Sequence, residues 1–157
     1  MARKGKPGDI VRIGLGDGRH TYGQLLTDPY VAVYDCPTTG EDPDTAEVVG
    51  KPILFIVSVY DKAIGRRGWP VVGQAPPGSP DIAVPDQFMQ DVANPANLRI
   101  IDVNGNVRPA TYDECAGLER CAVWEAEHVA ERIRDQYAGR PNVYLEHMKL
   151  RRPDGGG

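Results

Sequence analysis

Apolar and polar positions alternate with a period of two in several short runs, and with a helical period in only one. In Ile10-Val11-Arg12-Ile13-Gly14-Leu15, Ile10, Arg12 and Gly14 share one face and Val11, Ile13 and Leu15 the other, which predicts a strand. Gly14-Leu15-Gly16-Asp17-Gly18-Arg19 is rich in residues that tolerate positive φ, so a hairpin should lead into a second strand, His20 to Leu26. Asp28-Pro29 turns the chain into Tyr30 to Asp35, β-branched and aromatic, as a third strand of a meander. Cys36 to Lys51 reads as a solvated loop, whereas Pro52 to Tyr60 is apolar on both faces and predicts a central strand. Trp69 to Gly73 predicts a short edge strand, and Pro76 to Pro85 a loop.

Leu98 to Val103, Asn104-Gly105, then Asn106 to Pro109 predicts a hairpin with a type I′ turn. Thr111-x-x-Glu114 has the capping-box spacing of a brief helix that Gly117 could end. Ala126, Val129, Ile133 and Tyr137 recur at three- and four-residue spacing, predicting an amphipathic helix from about Glu125 to Ala138, stopped by Gly139-Arg140-Pro141. Val143 to Met148 reads as a last strand. The expected fold is α+β, mostly antiparallel β in a barrel-like or strongly twisted sheet, with one C-terminal amphipathic helix. One domain is expected over residues 1–157, ordered from about 6 to 150, with a frayed tail at 151–157.

Composition narrows the classes of function. The mean hydropathy is −0.41, and no apolar run approaches the roughly 18 residues that a spanning helix needs. The basic start Met1 to Pro7 is followed by no apolar segment of the secretory kind, so a cytoplasmic location is expected. A formal net charge of −4, from 18 basic and 22 acidic residues, supplies no general field for phosphate backbones, and nucleic acid is not expected as a partner. Three cysteines, Cys36, Cys115 and Cys121, cannot all pair within the chain, and reduced thiols are the default.

Each candidate for chemistry lacks an element that the chemistry requires. Gly14-x-Gly16-x-Gly18 has Arg19 where a dinucleotide loop needs its third glycine, and a strand follows it. Asp42-Pro43-Asp44-Thr45 resembles the paired aspartates of phosphoryl transfer but sits deep in a loop. Glu125-x-x-His128 is half of a di-iron motif without its companion helices, and no Cys-x-x-Cys marks a zinc site. We therefore expect no catalytic residue, cofactor or metal. The alternatives are a small hydrolase whose Cys and His meet through the fold, or a small barrel that binds nucleic acid through Arg66, Arg67, Lys149, Arg151 and Arg152.

Three blocks together resemble one family: Gly8-Asp9-Ile10-Val11-Arg12-Ile13 with Asp17-Gly18-Arg19 and Tyr22-Gly23-Gln24; Gly68-Trp69-Pro70-Val71-Val72-Gly73; and Gly117 to Trp124 through His128-Val129-x-x-Arg132. In this order, from about Lys6 to Leu150, they resemble the Immunity protein 26 family of bacterial polymorphic-toxin systems. The resemblance implies a mostly β protein that binds a cognate toxin domain and blocks it, without catalytic residues of its own. Contact residues are expected instead from charge: Glu41, Asp42, Asp44 and Glu47 in one loop and Asp81, Asp86 and Asp91 in another, suited to a toxin with a basic cleft such as a nuclease. Arg66 and Trp69 are added as interface-type anchors.

Overall fold

The structure is a computed structural model and describes residues 4–76 and 82–153. The described chain groups into two compact units, one of residues up to 82 with 123–140, the other of 83–122 with the residues from 141 onward. The fold is α+β and strand-rich, and its two sheets are open, so of the two expected arrangements the closed barrel is the one not realised.

The first unit is built on the expected meander. Strands β1 (Asp9–Gly14), β2 (His20–Leu25), β3 (Tyr30–Thr38) and β4 (Ile53–Val59) pair antiparallel in sequence order. Strand β5 (Val71–Gln74) returns to the outer edge of β1, as Pro70 foretells. The β1–β2 turn closes where Leu15 N donates to Arg19 O, with Gly16 and Gly18 at φ 81° and 87°. A bulge in β3 is healed by Thr21, whose hydroxyl donates to Tyr34 O at 2.6 Å and accepts from Cys36 N at 3.1 Å.

Both faces of this meander are covered. Ile10, Tyr22, Ala32, Tyr34 and Cys36 pack with Val48 on one face. Val48 belongs to α1 (Thr45–Val49), a short helix inside the segment expected to be loop; Val48-Val49 supplies the apolar pair that pulls the acidic stretch onto the sheet. The other face meets α3 (Ala126–Ala138), the predicted amphipathic helix, which Gly139 ends in the left-handed conformation. Its Arg132 is buried with the guanidinium 3.8 Å from the Phe55 ring centroid and 5.1 Å from that of Trp124. Its Tyr137 hydroxyl donates to Asp35 at 2.9 Å, and Arg134 donates to Leu15 O. Strand β10 (Val123–Trp124) adds a parallel edge beside β4.

The second unit holds a four-stranded sheet in the order β8-β7-β6-β9, made of β6 (Gln87–Gln90), β7 (Leu98–Ile101), β8 (Val107–Pro109) and β9 (Glu119–Arg120). The β7–β8 hairpin is as expected, but its turn is not type I′. Only Gly105 has positive φ, Asp102 N donates to Asn106 O, and Gly105 N donates to Asp102 O. This three-residue loop arises because the Asp102 carboxylate gathers the amides of Asn104 and Asn106. Helix α2 (Tyr112–Cys115) starts at Thr111 with the full capping box.

Residues 143–148, expected as a strand, form helix α4 (Val143–His147) instead. The cause is Asn142, whose side-chain oxygen accepts from Tyr144 N and Leu145 N, both at 3.1 Å, and so commits the chain to a helical start. Phe88, Leu98, Ile100 and Cys115 form the core of this unit. Buried Gln90 donates to Arg151 O and accepts from Arg151 N, so Arg151, the first residue of the expected tail, is held; 154–157 lie outside the described residues.

Candidate functional site

The acidic stretch between β3 and β4 is fixed at one point and open around it. Arg12 and Tyr22 project from neighbouring strands at paired positions. Asp42 closes over them, accepting from Arg12 at 3.0 Å through one oxygen and from the Tyr22 hydroxyl at 2.7 Å through the other. Thr38 lies 3.1 Å from the same hydroxyl. Burial, with the Asp42 carboxylate acting in the same direction, pushes the Tyr22 phenol above its ordinary range and keeps it a donor. Asp42 is therefore neutralised within the chain. Glu41, Asp44 and Glu47 are exposed, and no ion pair engages them among the described residues. Asp44 occupies the N-cap position of α1, yet its side chain makes no capping bond.

The other expected contacts divide by what holds them. Asp81 lies outside the described residues. Asp86 is exposed in the second unit. Asp91 accepts from Ala93 N at 2.8 Å and Asn94 N at 3.2 Å, backbone bonds that hold its carboxyl below the usual range and give it a turn-forming task. Arg66 is exposed, but Trp69 is only 4% exposed. Trp69 is a core side chain fastened by Trp69 N to Ala63 O and Gly65 N to Trp69 O, so it presents no contact surface.

The motifs set aside in the sequence have structural employments. Glu125 is the N-cap of α3 and pairs with Lys62 at 3.2 Å. Burial raises all three thiols, the direction opposite to activation of a cysteine nucleophile. Among the described residues no three His, Cys, Asp or Glu side chains converge as metal ligands would. Of the basic residues considered for nucleic acid, Lys149 pairs with Glu146, Arg151 donates to Asp91 O and Val92 O, and Arg152 lies over the Tyr112 ring. No helix is long and apolar enough to cross a membrane among the described residues. The pinning of Asp42 was not legible in the sequence, because Arg12, Tyr22 and Asp42 meet only through the meander.

No curated protein and no solved structure matches the chain. The sequence model of one family, described as Immunity protein 26, matches residues 6–97. That span takes in the first two blocks of the resemblance, the acidic stretch and the turn around Trp69; the third block, from Gly117, lies beyond it. With more than half its length inside the match, the chain belongs to the Immunity protein 26 family.

Proposed function

We propose that this immunity protein acts by stoichiometric binding: it occupies the working surface of a cognate toxin domain, inside a bacterial cell that carries a polymorphic-toxin system, and performs no chemistry of its own. The contact is the acidic face formed by Glu41, Asp44 and Glu47. The observation that carries this reading is the anchoring of Asp42 by Arg12 and Tyr22. That anchor fixes the loop's course and leaves its three neighbours charged, exposed and without an internal partner. A preordered acidic surface suits a toxin with a basic cleft, whose encounter it would steer and whose entrance it would obstruct. Raised thiols support the absence of a cysteine nucleophile.

Copurification with the toxin encoded beside it should give a stable one-to-one complex, and coexpression should restore growth. The triple variant Glu41→Lys, Asp44→Lys, Glu47→Lys should weaken the complex by about tenfold or more and flatten its dependence on salt. Unchanged affinity and salt dependence would remove the acidic face from the interface. Alanine at each cysteine and histidine should leave protection intact; loss of protection in a folded variant would revive the hydrolase alternative.

A further inference from the structure

A second charged feature of the first unit has the opposite sign. The connection from β4 to β5 runs through a single 3-10 turn at Asp61–Ala63 and then folds back on itself. Gly65 N donates to Trp69 O, Gly68 N to Gly65 O, and Trp69 N to Ala63 O at 2.7 Å. Gly68 is required by this course, since a Cβ there would stand 2.2 Å from Ala63 O. Trp69 fills the core beneath, and the loop above it forms a concave shell. It walls a hollow of about 960 Å³ lined by Lys4, Lys62, Arg66 and Arg67, with Asp61 as the one acid among the described residues and Ile64 and the two glycines as further wall. The Lys4 stem lies along Gly65, whose Cβ position is 3.2 Å from Lys4 Cδ, so that the ammonium reaches the same space.

The arginines of this unit separate into two groups. Arg12 pairs with Asp42, Arg19 with Asp17 and Arg140 with Asp135; Arg134 donates to Leu15 O and Arg132 stacks on aromatic rings. Among the described residues only Arg66 and Arg67 of this unit have no such engagement, and they sit side by side on the hollow. In a chain whose net charge is −4, Lys4, Arg66 and Arg67 converge on one concavity beside Lys62, which Glu125 already pairs at 3.2 Å, and the three together mark a place for a negative group.

We propose that this hollow is a docking site for an acidic stretch of polypeptide, supplied by the toxin that the protein neutralises; naming the toxin as donor rests on the function proposed above. The volume is at the upper end of the range of ligand sites and exceeds what a lone anion fills. Nucleic acid is the poorer fit: among the described residues no aromatic side chain lines the hollow for a base to stack on, and the cations cluster instead of following a groove. The protein then offers its partner an acidic loop and a basic hollow, which rewards one orientation of a partner carrying both charges and opposes the reverse.

The direct test is an NMR titration of the whole chain with an N-acetylated hexaglutamate peptide, beside single-stranded oligonucleotide and sodium pyrophosphate. Saturable peptide binding is expected, with shifts centred on the amides of Ile64, Gly65 and Gly68, suppressed by salt. The variant Arg66→Glu, Arg67→Glu, with its circular dichroism unchanged, should lose about tenfold or more in affinity, and the two Gln substitutions should fall between. Absence of binding, unchanged binding in the Glu variant, or tighter binding of oligonucleotide or pyrophosphate than of peptide would overturn the site. With the toxin, the same Glu variant should weaken the complex. A complex lost only on reversal of Glu41, Asp44 and Glu47 would overturn the hollow's role and leave the proposed function standing. If no complex forms with any variant or the parent chain, the proposed function fails first, and the peptide titration decides the hollow alone.

Discussion

Single atoms decide several of the features described above. Gly18 and Gly68 are both turn glycines, but a Cβ on Gly18 meets nothing within 4 Å while one on Gly68 meets a backbone oxygen. Gly18→Ala should cost about 1 kcal/mol, the strain of a positive φ. Gly68→Ala is constrained by backbone that must move, and should cost about 1 to 3 kcal/mol; urea titrations should rank the two in that order. Tyr137 gives a dependence on pH. Burial and its bond to Asp35 raise its folded pKa, so the unfolded chain releases the proton first. Its contribution is fully present below about pH 10, the ordinary range of a phenol, and declines as pH rises beyond it. Tyr137→Phe should cost about 1.5 kcal/mol at neutral pH, and the difference between variant and parent should shrink at alkaline pH. A constant difference up to pH 12 would contradict the assigned cause.

At the level of elements, what could be read in the sequence depended on length and on local chemistry. The meander, the β7–β8 hairpin, the capped turn at Thr111 and α3 were all legible, because each carries its own pattern of alternation, turn residues or helical spacing. Strands β9 and β10 were not, having two residues each and no period to detect. Helix α4 was misread because Val143-Tyr144-Leu145 has the composition of a strand; the deciding residue, Asn142, lies just before the apolar run and acts through its side chain. Asn142→Ala should therefore loosen α4 at a cost of about 1 kcal/mol, visible as faster amide exchange at Tyr144 and Leu145. The turn at Asn104-Gly105 shows the reverse case: the pair marks a turn, but the carboxylate at Asp102 selects which one.

Across the molecule, the family match, the charges and the two proposed contacts bear on one question, which surface meets the toxin. Counting acids along the sequence picks out the acidic loop but treats its carboxylates as equivalent. The meander shows that Asp42 is spent internally and that Asp91 shapes a turn, both consequences of contacts that no local window contains. Arg66, expected as an anchor, is exposed, whereas Trp69 in the same loop is buried as the floor beneath it. Charge reversal should accordingly grade by position. Glu41, Asp44 and Glu47 should alter association rate and salt dependence with little change in stability, while Asp42→Lys should also lower the melting temperature by opposing Arg12. Equal melting temperatures for the two sets would show that the Arg12 contact contributes nothing measurable.

The burial of Trp69 and Trp124 has a use of its own. These are the chain's two tryptophans, and both belong to the first compact unit. Intrinsic indole emission is thus an optical signal from that unit alone, silent about the second, whereas far-ultraviolet dichroism sums over both. Recording the two signals through one denaturation would reveal whether the units melt as one cooperative body or in sequence. Because Trp69 lies directly beneath the basic loop, the same emission offers a label-free report when that loop is occupied.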